Sequence, residues 1–266
     1  MNIAPPAVRA RAFDAWADDY ERYRPGYPAA LFELIADRLD LADDAAVVDL
    51  GAGTGKVARS AAARGWRVTA VDPGEPMLAV LRRKSAAEGL DISVVRANAE
   101  DTGLDPADFD AALAGEAYHW FDASAALTEM ARIVRPGGGI AFFWNLVDPD
   151  RSPLVATERA LVYKHGIDGS DVRKPGPLPE TREAIRATEA FEEPEFVQVS
   201  HSVGMTGADY LGLARTKSHL RTAPPQIQEA FGLDFTSMLE ANGIGASDPI
   251  ELPYVVDCWI AKRRDQ

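Results

Sequence analysis

Cysteine is nearly missing from this sequence: one residue, Cys258, in a chain of 266. A lone thiol excludes an internal disulfide framework and fits a reducing compartment. Positive charge is also short, with 28 Lys and Arg against 41 Asp and Glu for a net charge of −13. Nucleic acid and anionic membrane are polyanions that such a chain would repel, so neither is expected as a partner. Long apolar runs are absent: none approaches the ~18–20 residues that a membrane span requires. The opening MNIAPPAVRARAFDAW has no apolar stretch after a basic start and does not read as a signal peptide. No set of Cys, His and carboxylate residues has metal-site spacing, so no metal is expected. Internal repeats and low-complexity tracts are lacking as well. What remains is a hydrophobic fraction of 47%, enough for a large buried core, which excludes disorder, collagen and coiled coil. The expectation is a cytoplasmic protein acting on something small.

Between about Ala45 and Asn145 short apolar runs alternate with helical segments, the pattern of a parallel sheet covered on both faces. The runs are AVVDL (46–50), WRVTAV (66–71), ISVVRA (92–97), FDAALA (109–114) and GIAFFWN (139–145). Gly55–Arg64, Glu75–Glu88 and Ala123–Val134 carry helical apolar spacing between them, with Gly65, Gly89 and the Pro136-Gly137-Gly138-Gly139 stretch as stops. Right-handed crossovers then give a Rossmann-like, doubly wound sheet. Residues 7–40 read as two helices broken at Arg24-Pro25-Gly26-Tyr27-Pro28, and 149–190 as interrupted helix with a loop at 174–180. A strand at 195–203, helices near 207–220 and 226–241, and a last strand within 251–264 follow. The expected fold is α/β: a mostly parallel seven-stranded sheet with an antiparallel last strand, helices on both faces, and a helical lid and cap over the strand carboxyl ends. The chain is expected to be one domain over 1–266, with a lid at 1–27, an αβ core at 28–148, cap helices with one strand at 149–250 and the final strand at 251–264.

The most informative segment is Val47-Val48-Asp49-Leu50-Gly51-Ala52-Gly53-Thr54-Gly55-Lys56. A strand entering alternating glycines and then a helix lets the backbone pass close to a ligand, with no side chain between. A Walker loop fails, because Val57 follows Lys56 and Leu50 holds the first-glycine position. A dinucleotide fingerprint is disfavoured, because Lys56 stands where its third glycine belongs. A nucleoside ligand without a pyrophosphate survives. Asp72 ends the second strand 21 residues after Gly51, as a carboxylate accepting from ribose hydroxyls would. The plain alternative is a tight strand-to-helix turn, with Asp72 capping the next helix.

The segments VVDLGAGTGK, VTAVDPGEPML, RANAED and RIVRPGGG, in this order and spacing over residues 13–145, resemble a class I S-adenosylmethionine-dependent methyltransferase. FDAWADDYERYRPGYP and GEAYHWFD resemble its small-molecule branch that includes trans-aconitate methyltransferase-like proteins. The resemblance implies S-adenosylmethionine as cofactor. It implies that Asp49 orients the loop, and that Gly51 and Gly53 bring backbone against the methionine part. It implies that Asp72, with Pro73 beside it, holds the ribose, that Met77 packs on the adenine face, and that Asn98, Ala99 and Glu100 read the adenine edge. Glu116 would border the sulfonium. Tyr20 and Arg24 belong to the lid, where Arg24 could grip the methionine carboxylate.

His119, next to Tyr118, is the histidine placed to act as a base or to position a loop. Trp144 and Asn145 end the fifth strand on the same rim and could line an acceptor pocket. In the helix near 207–220, Leu211, Arg215 and Ser218 fall at i, i+4 and i+7, hence on one face, so that Arg215 could meet an anionic substrate. His165 and His201 read as structural. The function implied is methyl transfer to a carboxylate or hydroxyl of a small organic acceptor. The alternatives are a S-adenosylmethionine-binding protein that transfers no methyl and, further off, a nicotinamide-dependent oxidoreductase. Oligomeric state is not legible.

Overall fold

The apolar runs between Ala46 and Val147 become parallel strands because both of their faces are covered. In the computed structural model, which describes residues 16–167 and 175–265, β1 (Ala46–Leu50) is buried at every position. β2 (Arg67–Val71), β3 (Ile92–Val95), β4 (Phe109–Gly115) and β5 (Val134–Val147) follow, then β6 (Glu195–Thr206) and β7 (Pro249–Lys262). The sheet has seven strands in the order β3-β2-β1-β4-β5-β7-β6. β1 pairs in parallel with both β2 and β4, so the winding reverses between β1 and β4, and their carboxyl ends open the crevice where ligands bind in such folds. β7 runs antiparallel to both β5 and β6.

Two strand boundaries differ from the sequence reading. β3 stops at Val95 and does not reach Ala97. β5 starts at Val134, so Pro136-Gly137-Gly138-Gly139 lies inside the strand and does not stop the helix before it. A Cβ on Gly138 would stand 2.4 Å from the Asp110 carbonyl oxygen, and one on Gly139 would stand 2.4 Å from Leu39. The glycines let the strand enter against a neighbouring strand and a helix.

The helices are α1 (Ala17–Tyr23), α2 (Ala29–Leu39), α3 (Lys56–Ala63), α4 (Glu75–Glu88), α5 (Ala123–Ile133), α6 (Pro153–Lys164), α7 (Pro179–Ala187), α8 (Gly207–Arg215), α9 (Ser218–Arg221) and α10 (Pro225–Ala241). α2, α3 and α4 bury Leu31, Ile35, Ala58 and Leu81 on one face of the sheet, against Val47, Phe143 and Val256. α5 and α7 bury Leu127, Met130 and Ile185 on the other, against Val48, Phe142 and Trp259. A separate cluster of Val155, Val162, Tyr210, Phe231, Phe235 and Tyr254 makes the cap, meeting the sheet at Val147.

The expected helix at 207–220 is two helices. α8 ends at Arg215, and Thr216 turns the chain with its hydroxyl bonded back to the Leu213 carbonyl at 2.7 Å. Leu211, Arg215 and Ser218 therefore share no single helix face. Of the lid expected over 1–27, residues 1–15 lie outside the described residues.

Candidate functional site

The glycine loop leaves β1 in left-handed conformation, with φ of 69° at Gly51 and 54° at Gly53. A Cβ at Gly51 would stand 2.6 Å from the Ala117 Cβ, so only bare backbone lets the segment after β4 lie on the loop. Gly53 faces Met77, whose Cε is 3.5 Å from where a Cβ would stand. The Gly53 N–H donates to Asp72 Oδ2 at 2.9 Å, and the Gly74 N–H to Asp72 Oδ1 at 2.8 Å. The carboxylate at the end of β2 is thus held between the loop and the start of α4. Asp49 is buried below the loop. Its Oδ2 accepts from the Ala58 N–H at 3.0 Å, while its Oδ1 has no hydrogen-bond partner. Burial lifts its pKa to about 8, opposed by the Ala58 N–H and reinforced by Asp72.

Across the crevice, Glu116 has a left-handed φ of 54° without being glycine. Such backbone costs on the order of 1–3 kcal/mol and persists where the surroundings impose it. Here they do: the Glu116 N–H donates to the Phe143 carbonyl at 2.8 Å, and Oε1 accepts from the Asn145 N–H at 2.8 Å. The Glu116 charge acts on Tyr20, Tyr27 and Tyr254. Burial, with that charge added, pushes the Tyr20 phenol up to about 12 and the Tyr27 and Tyr254 phenols well above their usual value. These hydroxyls keep their protons at neutral pH and can act as donors.

α1 is tied both to the core and to the cap. Toward the core, Lys56 Nζ donates to the Glu21 carbonyl at 2.9 Å, Arg59 pairs with the Glu21 carboxylate at 2.6 Å, and Ala17 and Tyr20 pack on Met77 and Val80. Toward the cap, the Tyr23 ring lies so near Gly212 that a Cβ there would come within 2.3 Å. Arg24 Nε donates to Thr216 Oγ1 at 3.0 Å and Nη2 to the Thr216 carbonyl at 3.2 Å. Asn145 fixes the turn after α1, donating from Nδ2 to the Gly26 carbonyl at 2.9 Å while its Oδ1 meets His201 Nε2 at 2.9 Å.

The other expected residues divide. Trp144 Nε1 donates to Nδ1 of the exposed His119 at 3.0 Å. Tyr118 does not join the crevice cluster: it is stacked on Phe142 at 4.1 Å in the core, where burial pushes its phenol up to about 12. Asn98 is exposed, Ala99 is buried in the core, and Glu100 accepts from the Asp122 N–H at 2.8 Å, tying the segment after β3 to the start of α5. Pro73 is exposed and its carbonyl accepts from Arg96. Arg215 is exposed, with its guanidinium over Gly232 of α10. No group of potential metal ligands occurs among the described residues, and no described helix is long and apolar enough to cross a membrane. The sequence reading missed Lys56, Glu21, Thr216, His201 and Tyr254. Lys56 was legible only as an interruption of the glycine spacing, and the others carry no local signal.

A family model described as a methyltransferase domain matches residues 48–142. An uncharacterised methyltransferase of Mycobacterium tuberculosis (strain ATCC 25618 / H37Rv) is 33% identical over 249 residues, covering 93% of this chain and 93% of that protein. The chain belongs to the class I S-adenosylmethionine-dependent methyltransferases. A solved structure classed as a type II methyltransferase from Anaeromyxobacter dehalogenans superposes with a TM-score of 0.66 at 26% identity, covering 91% of this methyltransferase and 98% of that chain. Phosphoethanolamine N-methyltransferase 2 of Haemonchus contortus, solved with S-adenosyl-L-methionine, shares the fold at 18% identity and a TM-score of 0.55, covering 96% of this chain and 60% of that one. The malonyl-[acyl-carrier protein] O-methyltransferase of Salmonella typhimurium is 35% identical over 137 residues, which is 50% of this chain and 51% of that protein. The cofactor of this methyltransferase is S-adenosylmethionine.

Proposed function

We propose that this methyltransferase acts on a carboxylate or hydroxyl oxygen of a small organic acceptor, in the crevice bounded by the glycine loop, the ends of β4 and β5, and α1. The observation that carries the placement of the cofactor in this crevice is the buried Asp49 oxygen without a partner, beneath a loop of bare backbone at the reversal point of the sheet. A carboxyl group held so high suits a cation above it, and the ammonium of the methionine part is such a cation. Gly51 and Gly53 would offer their backbone to the methionine part, and Asp72 its carboxylate to the ribose hydroxyls. Met77 would cover the adenine face, with Pro73, Asn98, Ala99 and Glu100 along its edge. Tyr20 and Arg24 would close the methionine end from α1, and Glu116 would set a negative charge beside the sulfonium.

When bound, S-adenosylmethionine supplies an electrophilic methyl group on a cationic sulfur. The chain's own contribution is to hold donor and acceptor together and to exclude water, and proximity of that kind accounts for much of such a rate. α1 does the excluding, since it is bonded to core and cap at once. Likeness to the malonyl-[acyl-carrier protein] O-methyltransferase and resemblance to the trans-aconitate branch both support an oxygen acceptor.

Calorimetric titration tests the reading. S-adenosylmethionine and S-adenosylhomocysteine are expected to bind with micromolar or tighter affinity, weakened roughly tenfold or more (~1.4 kcal/mol) in Asp72→Ala. Binding of NADH alone would overturn it. Binding without release of S-adenosylhomocysteine over a panel of carboxylates and alcohols would favour a protein that transfers no methyl.

A further inference from the structure

His201 and Asn145 belong to strands that are not neighbours. β7 runs between them, with Tyr254 paired to His201 on β6 and to Val147 on β5, and Val256 paired to Val199 and to Asn145. Cross-strand partners share a face, so His201, Tyr254, Val256 and Asn145 stand on the same side of the sheet. The imidazole spans β7, tilted against the Tyr254 ring with centroids 5.5 Å apart, and its Nε2 meets Asn145 Oδ1 at 2.9 Å. Each group in this chain has its role fixed by the next. The Gly26 carbonyl can only accept, so the Asn145 amide turns its nitrogen there, at 2.9 Å, and its oxygen to His201. That oxygen in turn only accepts, so His201 Nε2 carries the hydrogen. Asn145 is also where the chain reaches the crevice, since its backbone N–H donates to Glu116 Oε1 at 2.8 Å. Gly26 lies in the turn between α1 and α2, with Arg24 before it and Tyr27 after it. Tyr27 brings its hydroxyl 2.8 Å from where a Cβ on Gly115 would stand, at the end of β4, and the charges of Glu116, Asp49 and Arg24 act on it. At its other end the chain starts on β6, which continues through Thr206 into α8 of the cap.

We propose that His201 is a positioning residue of this methyltransferase: acting through Asn145, it fixes the turn that carries Arg24 and Tyr27 and so holds α1 in place for the methionine end of the cofactor. The cofactor contact rests on the reading of the crevice above; the hold on the turn does not. His201 touches neither cofactor nor acceptor in this role and exchanges no proton. It ties a cap strand to the turn beside the crevice, through an amide whose orientation it decides.

Substitutions in the full chain separate the hydrogen bond from the packing. His201→Phe keeps a ring against Tyr254 but removes the donor, whereas His201→Gln removes the ring and keeps an N–H at about the reach of Nε2. His201→Phe is expected to weaken S-adenosylmethionine binding roughly three- to tenfold, the size of one hydrogen bond, as read by calorimetry. It should also speed amide hydrogen exchange over residues 17–27 while leaving β1 and β4 unchanged. His201→Gln should stay within about twofold of wild type in both measurements. Because His201 acts through Asn145, adding His201→Phe to Asn145→Ala should weaken binding no further. The opposite order of the two His201 variants would make the residue a packing group, and equal values in the two or an additive double variant would equally overturn the role. If His201→Phe folds poorly, multiple-bond 1H–15N spectra of 15N-histidine-labelled wild type above neutral pH decide. His201, assigned by its missing signal in His201→Gln, is expected in the Nε2–H form, and a Nδ1–H form overturns the chain of bonds. A wild type that binds no S-adenosylmethionine would strike the reading of the crevice instead, and exchange over residues 17–27 would still decide the positioning.

Discussion

Asp49 shows how one buried atom can carry more functional information than a motif. The sequence places an acidic residue at the end of β1, but its meaning comes from the unpartnered Oδ1 and a pKa lifted to about 8. A carboxyl raised above its unfolded value leaves stability intact at low pH and reduces it as pH rises toward 8. Asp49→Asn is therefore expected to hold or raise the unfolding temperature at pH 8 while weakening S-adenosylmethionine binding roughly tenfold or more (~1.4 kcal/mol), read by thermal melts and calorimetry. A parallel loss of both would make Asp49 a purely structural residue. Glu129 has the opposite sign. Its buried carboxylate accepts from Arg132 and from the N–H and hydroxyl of Thr102, and these hold its pKa down to about 2. Its contribution is present above the ordinary glutamate range and lost as pH falls toward 2. Glu129→Gln should be less stable than wild type at pH 7, and the gap in urea midpoints should close between pH 4.5 and 2. Neither environment is legible in the sequence, because burial and hydrogen-bond partners are supplied by other elements.

Among elements, α1 is the one whose role the sequence gives only in outline. Its tyrosines and Arg24 suggest a lid, yet what it docks on comes from residues far along the chain: Lys56 and Arg59 on α3, and Gly212 and Thr216 in the cap. Gly212 is a sharp test. A methyl group there would meet the Tyr23 ring at 2.3 Å, and overpacking of this kind costs about 1–3 kcal/mol. Gly212→Ala is expected to release α1, seen as faster amide hydrogen exchange over residues 17–23 with exchange in β1 and β4 unchanged. Unchanged exchange over α1 would mean that the clash is absorbed within the cap. The strands behave differently. Apolar runs with glycine stops locate β1 to β5 to within a few residues, except at the Pro-Gly-Gly-Gly stretch. That stretch reads as a helix stop because proline and glycine end helices, but close approach to Leu39 and Asp110 requires it inside a strand.

For the whole molecule, the expectation of a single domain over 1–266 becomes a prediction about cooperativity. β7 joins the core strand β5 to the cap strand β6 in one continuous sheet, and α1 bonds core to cap across the crevice. Urea unfolding followed by tryptophan fluorescence and by far-ultraviolet circular dichroism should therefore give coincident transitions. Separated transitions would mean that the cap unfolds on its own. Added S-adenosylhomocysteine at ~100 times its Kd should raise stability by about 2.7 kcal/mol in that one transition.

The sequence by itself determined the sheet, its winding and the glycine loop at the reversal point. These follow from local patterns: apolar runs, glycines that tolerate left-handed backbone, and a carboxylate at a strand end. Tertiary structure alone decided the rest. His119 is met by an indole from the next strand, Arg24 by a hydroxyl 192 residues away, and Asn145 by a histidine on the far side of β7. Hydrogen bonds between side chains remote in sequence leave no period and no spacing to read, because only the folded chain brings their atoms within 3 Å or so of one another.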